Sequence, residues 1–121
     1  MKEIESVEEA LAATGNPAVL SFSDVPEDKR SFFQNIYKAT AITEAINDGW
    51  KADWTDPDQK KWIPVFRVDK TAPSGFVFVF ADCVCSFAFA GYAARLCFES
   101  KNAAIFGGEN FTEIFVGIIM G

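Results

Sequence analysis

The apolar period of this chain changes once, across residues 47–66, and that change governs what the chain can fold into. Before it, apolar residues recur at helical spacing; after it, they alternate as strands do. The same stretch, NDGWKADWTDPDQKKWIPVF, holds all three tryptophans, Trp50, Trp54 and Trp62. It therefore joins helix to sheet, and the joint carries the largest side chains in the protein.

On the helical side, Ser6-Val7-Glu8-Glu9 is a capping box, which predicts a short helix over residues 7–14 that stops at Gly15. Residues 18–22 are apolar and read as an extended loop or short edge. Pro26, then Glu27 and Asp28, suit a first helical turn, and the helix is expected to run to about Asn47 and stop at Gly49. Its apolar residues, among them Phe32, Ile36, Ala39, Ile42 and Ile46, surround much of its circumference. A helix of this kind is covered on several faces and should be central.

On the strand side, residues 62–68 alternate Trp62, Pro64, Phe66 and Val68 against Ile63, Val65 and Arg67. Proline cannot donate to a ladder, so Pro64 predicts an edge strand or a bulge. Residues 69–75 have turn composition. From Phe76 to about Cys83 both faces are apolar, with Phe76, Phe78 and Phe80 on one side, so this strand is expected to be central or doubly covered. Residues 85–90 extend it or begin the return, Gly91 breaks the run, and residues 94–98 read as a third strand. Ser100 then caps a last helix, in which Gly107-Gly108 predicts a kink or a close contact with the sheet. The expectation is one α+β domain over residues 1–121. Its three-stranded antiparallel β-meander packs against helices in the order α-α-β-β-β-α.

Charge and composition exclude several functions. The net charge is −6, with 12 acids and 6 bases in residues 1–60 and 5 of each in residues 61–121. An acidic chain repels phosphate backbones, which disfavours nucleic-acid binding. No histidine is present, so Ser-His-Asp and Cys-His catalysis and histidine-based zinc sites are excluded. Cys83, Cys85 and Cys97 are odd in number and lack zinc-knuckle spacing, which suggests reduced core thiols in a cytoplasmic protein. The first twenty residues lack a signal-peptide pattern. Residues 76–94 are long enough to span a membrane, but Asp82 and the β-branched and aromatic content favour buried strands. Asp53, Asp56 and Asp58 cluster without the calcium-loop spacing and read as turn residues. The expectation is a protein with no catalytic residue, metal site or cofactor, and no membrane association.

The nearby cations of the three tryptophans are Lys60, Lys61, Arg67 and Arg95, and the candidate binding residues are Trp50, Trp54, Trp62, Arg67 and Arg95. Together they suit an aromatic platform for a base, sugar or peptide. The competing reading closes the end of the core with the tryptophans and pairs Arg95 with Asp82 or Glu99, because a charge among apolar strands needs a partner.

Three separated motifs carry a resemblance. They are Asn47-Asp48-Gly49-Trp50 with Ala52-Asp53-Trp54; Trp62-Ile63-Pro64-Val65-Phe66; and Arg95-Leu96-Cys97-Phe98-Glu99-Ser100, followed by Gly108, Phe111, Thr112 and Phe115. The set resembles a family of small uncharacterised proteins from phages and mobile elements of gut bacteria. It departs from that pattern at Ala52, Val65, Ala94 and Glu99. The resemblance implies a source rather than a mechanism. Together with the apolar surface expected late in the chain, it points to a non-enzymatic accessory protein. Such a protein would act by self-association or by contact with a phage or host protein. The alternative is a small-ligand or nucleic-acid binder that uses the tryptophan stretch and Arg95.

Overall fold

The computed structural model describes residues 1–18, 20–88 and 94–121. Its elements are α1 (Val7–Thr14), α2 (Glu27–Asn47), β1 (Lys61–Val68), β2 (Phe76–Val84), a single 3-10 turn (Ala94–Leu96), α3 (Lys101–Asn110) and α4 (Thr112–Met120). Expectations that fall on Val19, on Phe89 and Ala90 after the second strand, and on Gly91 lie outside the described residues.

α1 and α3 start as their residues require. The Ser6 hydroxyl accepts from the Glu9 amide at 3.1 Å, while the Glu9 carboxylate accepts from the amide of Glu5 at 2.8 Å. Gly15 then ends α1 at φ 69°. Ser100 caps α3 in the same way, accepting from Ala103 N at 3.1 Å. α2 runs to Asn47 as expected, but its cap is Asp48 rather than Gly49. Asp48 takes the left-handed cap at φ 48°, a conformation its short polar side chain tolerates, and Gly49 follows at φ 100°. The second half of α2 is buried at Ala39, Ala41, Ile42, Thr43, Ala45, Ile46 and Asn47, so it is the central helix.

Among the described residues the sheet has two strands, not three. β1 and β2 pair antiparallel, and where a third strand was expected there is one bridge, Trp62 to Phe98. Trp62 N donates to Phe98 O at 2.9 Å and Phe98 N to Trp62 O at 2.8 Å. The next bonded pair of such a ladder would need an N–H from Pro64, which has none. In the other direction the chain has reached Ser100, already committed as a helix cap. The bridge is thus limited to one pair, and residues 94–96 curl into a 3-10 turn instead. It also lies beside β1 rather than β2, so the expected meander order fails, and among the described residues no strand pairs with the other side of β2.

A register shift between Val65 and Phe66 corrects the reading of β2 as doubly covered. Val65 pairs with Phe80 and Phe66 with Phe78, which leaves Val79 as the extra residue of a bulge. The shift separates the phenylalanines. Phe78 turns inward against Phe66, with ring centroids 5.9 Å apart, and Ala81 is buried. Val79 and Phe80 face outward and are 45% and 49% exposed.

The inner face of the sheet packs on α3, where the glycine pair allows the close approach. A Cβ on Gly107 would meet Phe98 Cζ at 2.7 Å, and one on Gly108 would meet the Phe78 ring at 2.6 Å and Pro64 Cβ at 2.9 Å. The close contact expected from Gly107-Gly108 is present, but the kink is not there. The last helical stretch breaks at Phe111 instead, and α3 and α4 meet at 81°. Asn110 and Thr112 cap the break from their side chains, donating to Phe106 O at 2.9 Å and Gly108 O at 2.7 Å. Phe111 is thereby turned into the core beside Phe115. Among the described residues no single helix is long and apolar enough to cross a membrane.

Gly108→Ala should destabilise the fold by roughly 1–3 kcal/mol in urea unfolding through overpacking against Phe78 and Pro64. Glu109→Ala, on the exposed side of the same turn, should change stability by about 0.5 kcal/mol or less.

Candidate functional site

Asn47, the last residue of α2, builds the region around which the candidate residues are arranged. Its side chain is buried, and both ends of its amide are used. Nδ2 donates to Cys97 O at 2.9 Å, and Oδ1 accepts from Glu99 N at 3.1 Å. Phe98, between these two residues, faces the other way and bonds Trp62. Residues 97–99 are therefore held on one side by a strand and on the other by a side chain acting as a substitute strand. This clamp places Arg95, two residues upstream, beside the end of α2.

A cleft of about 260 Å³ opens there. Thr40, Thr43, Glu44 and Asn47 line it from α2, Gly49, Trp50 and Lys51 from the turn that follows, and Arg95 from the 3-10 turn. The α2 residues fall at i, i+3, i+4 and i+7, which is one stripe of a helix. That polar stripe is legible in the sequence beside the apolar positions of the helix. The Thr40 hydroxyl donates to Tyr37 O at 2.7 Å. Thr43 is buried, and its Oγ1 finds no hydrogen-bond partner.

The five candidate binding residues do not converge. Trp50 and Arg95 share the cleft. Trp54 instead covers the outer side of the sheet, packing with Ala52 on a small cluster of Ile63, Val84 and Cys97. Trp62 packs against the main core. Arg67 is exposed near the far end of β1. The partners suggested for Arg95 are not used: Glu99 pairs with the Met1 amine at 2.9 Å, and Asp82 accepts from the Cys83 amide at 2.9 Å.

Lys61, expected as a nearby cation of the tryptophan platform, is instead 0% exposed. Its Nζ donates to the carbonyl oxygens of Gln59 at 3.0 Å, Asp56 at 3.1 Å and Cys85 at 3.4 Å, and lies 4.8 Å from the centroid of the Trp54 ring. A buried ammonium needs such acceptors, and three carbonyls with an aromatic face supply them. The lysine thereby ties the tryptophan loop to the end of β2.

The acidic loop is built from turns. Asp53 Oδ1 accepts from the amide of Thr55 at 2.9 Å and from its hydroxyl at 2.5 Å, and Asp56 Oδ1 accepts from Asp58 N at 2.9 Å. The Thr55 hydroxyl bond, followed by the Thr55 amide bond, holds the Asp53 carboxyl below its usual range. Among the described residues no group of three or more His, Cys, Asp or Glu side chains is arranged to hold a metal ion. The cysteines differ from one another, contrary to the uniform core reading. Cys97 is fully buried, whereas Cys83 and Cys85 are half-buried with their sulfurs 3.9 Å apart.

Asn47→Ala should cost about 2–4 kcal/mol in urea unfolding, because it strands a buried carbonyl and an amide together. A second expectation concerns alkaline pH. Burial pushes the Cys97 thiol up to about 11, against the opposing pull of the Lys61 charge. The folded thiol keeps its proton where the unfolded one loses it. Its contribution is therefore complete below the unfolded pKa and is lost as pH rises toward the folded value. Between about pH 8.5 and 11 the natural chain should lose roughly 2–3 kcal/mol more stability than Cys97→Ala.

The chain matches no family model, no curated protein and no solved structure.

Proposed function

We propose that the protein is a non-enzymatic interaction module that pairs with a second copy of itself through the outer face of its sheet. The observation that carries this reading is the bulge in β2. It places two consecutive apolar side chains, Val79 and Phe80, on a face that the tryptophan loop covers only at its Lys61–Val84 end. Phe87, shortly after the strand, is 75% exposed. Exposed apolar groups gathered along one strand are the usual mark of a contact surface.

The bulge and the outward Asp82 also blunt β2 as a template for strand addition, so the face serves better than the edge. Charge favours a second copy. Arg67 pairs with Val77, and Asp82 with Ile63, so these two exposed charges stand at opposite ends of the same face. Their separation along the strands is roughly 13 Å. A two-fold axis across the strands, passing near Val65 and Phe80, reverses the ends and brings Arg67 of each copy toward Asp82 of the other. The absence of histidine, which removes the commonest general base, supports a non-enzymatic role. The resemblance to proteins of phages and mobile elements suggests an accessory role in such an element.

Size-exclusion chromatography with light scattering should give a dimer that Phe80→Asp converts to monomer. Arg67→Glu should weaken it, and Arg67→Glu with Asp82→Lys should restore it. A natural chain that stays monomeric at every concentration would overturn the proposal.

A further inference from the structure

The cleft at the end of α2 holds charges that the fold does not use. Its lining contains Lys51 and Arg95, which are cationic, and Glu44, which is anionic. Among the described residues the one ion pair within 4 Å joins Met1 and Glu99, so Arg95 and Glu44 share a small cleft without meeting. Opposite charges in that position can be satisfied together by one molecule that is anionic at one end and cationic at the other. A plain anion would meet Arg95 and Lys51 but would be opposed by Glu44. A plain cation would face two like charges.

The other lining groups suit the same kind of ligand. Trp50 offers an aromatic ring that an ammonium or an apolar body can pack against. The Thr43 hydroxyl, 1% exposed and lacking a partner, is a polar group of the lining that the protein itself leaves unsatisfied. A volume of about 260 Å³ suits a ligand of about amino-acid size. We infer that the cleft binds a small zwitterion of the α-amino acid class. Arg95 takes the carboxylate in a forked pair, Glu44 takes the ammonium, and Trp50 packs against the side chain. This site is distinct from the sheet face, so its test is independent of the oligomeric state.

The test is calorimetric titration of the whole protein with the standard free L-amino acids, with the N-acetyl and carboxamide derivatives of the tightest binder, and with inorganic phosphate. At least one amino acid should bind with a dissociation constant of about 1 mM or tighter. Blocking either end should weaken binding by about tenfold or more. Arg95→Gln should weaken the free amino acid to a similar extent. Glu44→Gln should weaken the free amino acid but leave the N-acetyl derivative unaffected or improved. Both substituted residues are exposed, and circular dichroism checks that the variants fold. Three results would overturn the inference: no binding by any amino acid, phosphate or the N-acetyl derivative binding as tightly as the zwitterion, or Glu44→Gln binding the zwitterion unchanged.

Discussion

The fold depends on the side-chain amide of Asn47. The segment after β2 has to return across the molecule and cannot form a full strand there, because Pro64 offers no donor for a second bonded pair. A single bridge to Trp62 leaves the other edge of residues 97–99 with a buried carbonyl and an amide to satisfy. Asn47 satisfies both from the end of α2. An asparagine amide carries one donor group and one acceptor, as a peptide unit does, and so can stand in for a neighbouring strand. α2 is thereby coupled to β1 through three residues. Phe98 is left 0% exposed, with its ring against Gly107 of α3.

Lys61 has the complementary role on the other side of the sheet. It holds the tryptophan loop over Ile63 and Val84, so that only part of the outer face is covered. The bulge exposes Val79 and Phe80 on the remainder. One loop thus makes both surfaces on which the functional proposals rest. Its first residues line the cleft with Trp50, and the cover it forms with Trp54 stops short of the sheet face.

Features set by neighbouring residues were legible in the sequence: both serine caps, the stop at Gly15 and the helix–sheet joint. Of the features set by partners distant in sequence, the close contact at Gly107-Gly108 was marked by the glycines themselves, and the others were not. Residues 94–98 have strand composition, and only the position of Pro64 across the bridge shows why one pair forms. The alternation of Phe76, Phe78 and Phe80 implies one common face, and a bulge, which leaves no mark in an apolar run, separates them. The break at Phe111 has neither proline nor glycine at it; Asn110 and Thr112 make it by capping. At the site, aromatic type was a partial guide. Trp50 and Arg95 do line one cleft, but Trp54 and Trp62 are used in packing. The helical stripe Thr40-Thr43-Glu44-Asn47 was present in the sequence and identifies the cleft better than the tryptophans do.

The role of Asn47 is tested most directly by amide hydrogen exchange at Glu99. This residue is only half-buried and precedes a helix cap, so nothing in local structure protects its N–H. If Asn47 acts as the substitute strand, the Glu99 amide should exchange as slowly as those of Trp62 and Phe98, with one shared opening free energy. Fast exchange at Glu99 beside slow exchange at Trp62 and Phe98 would contradict the account.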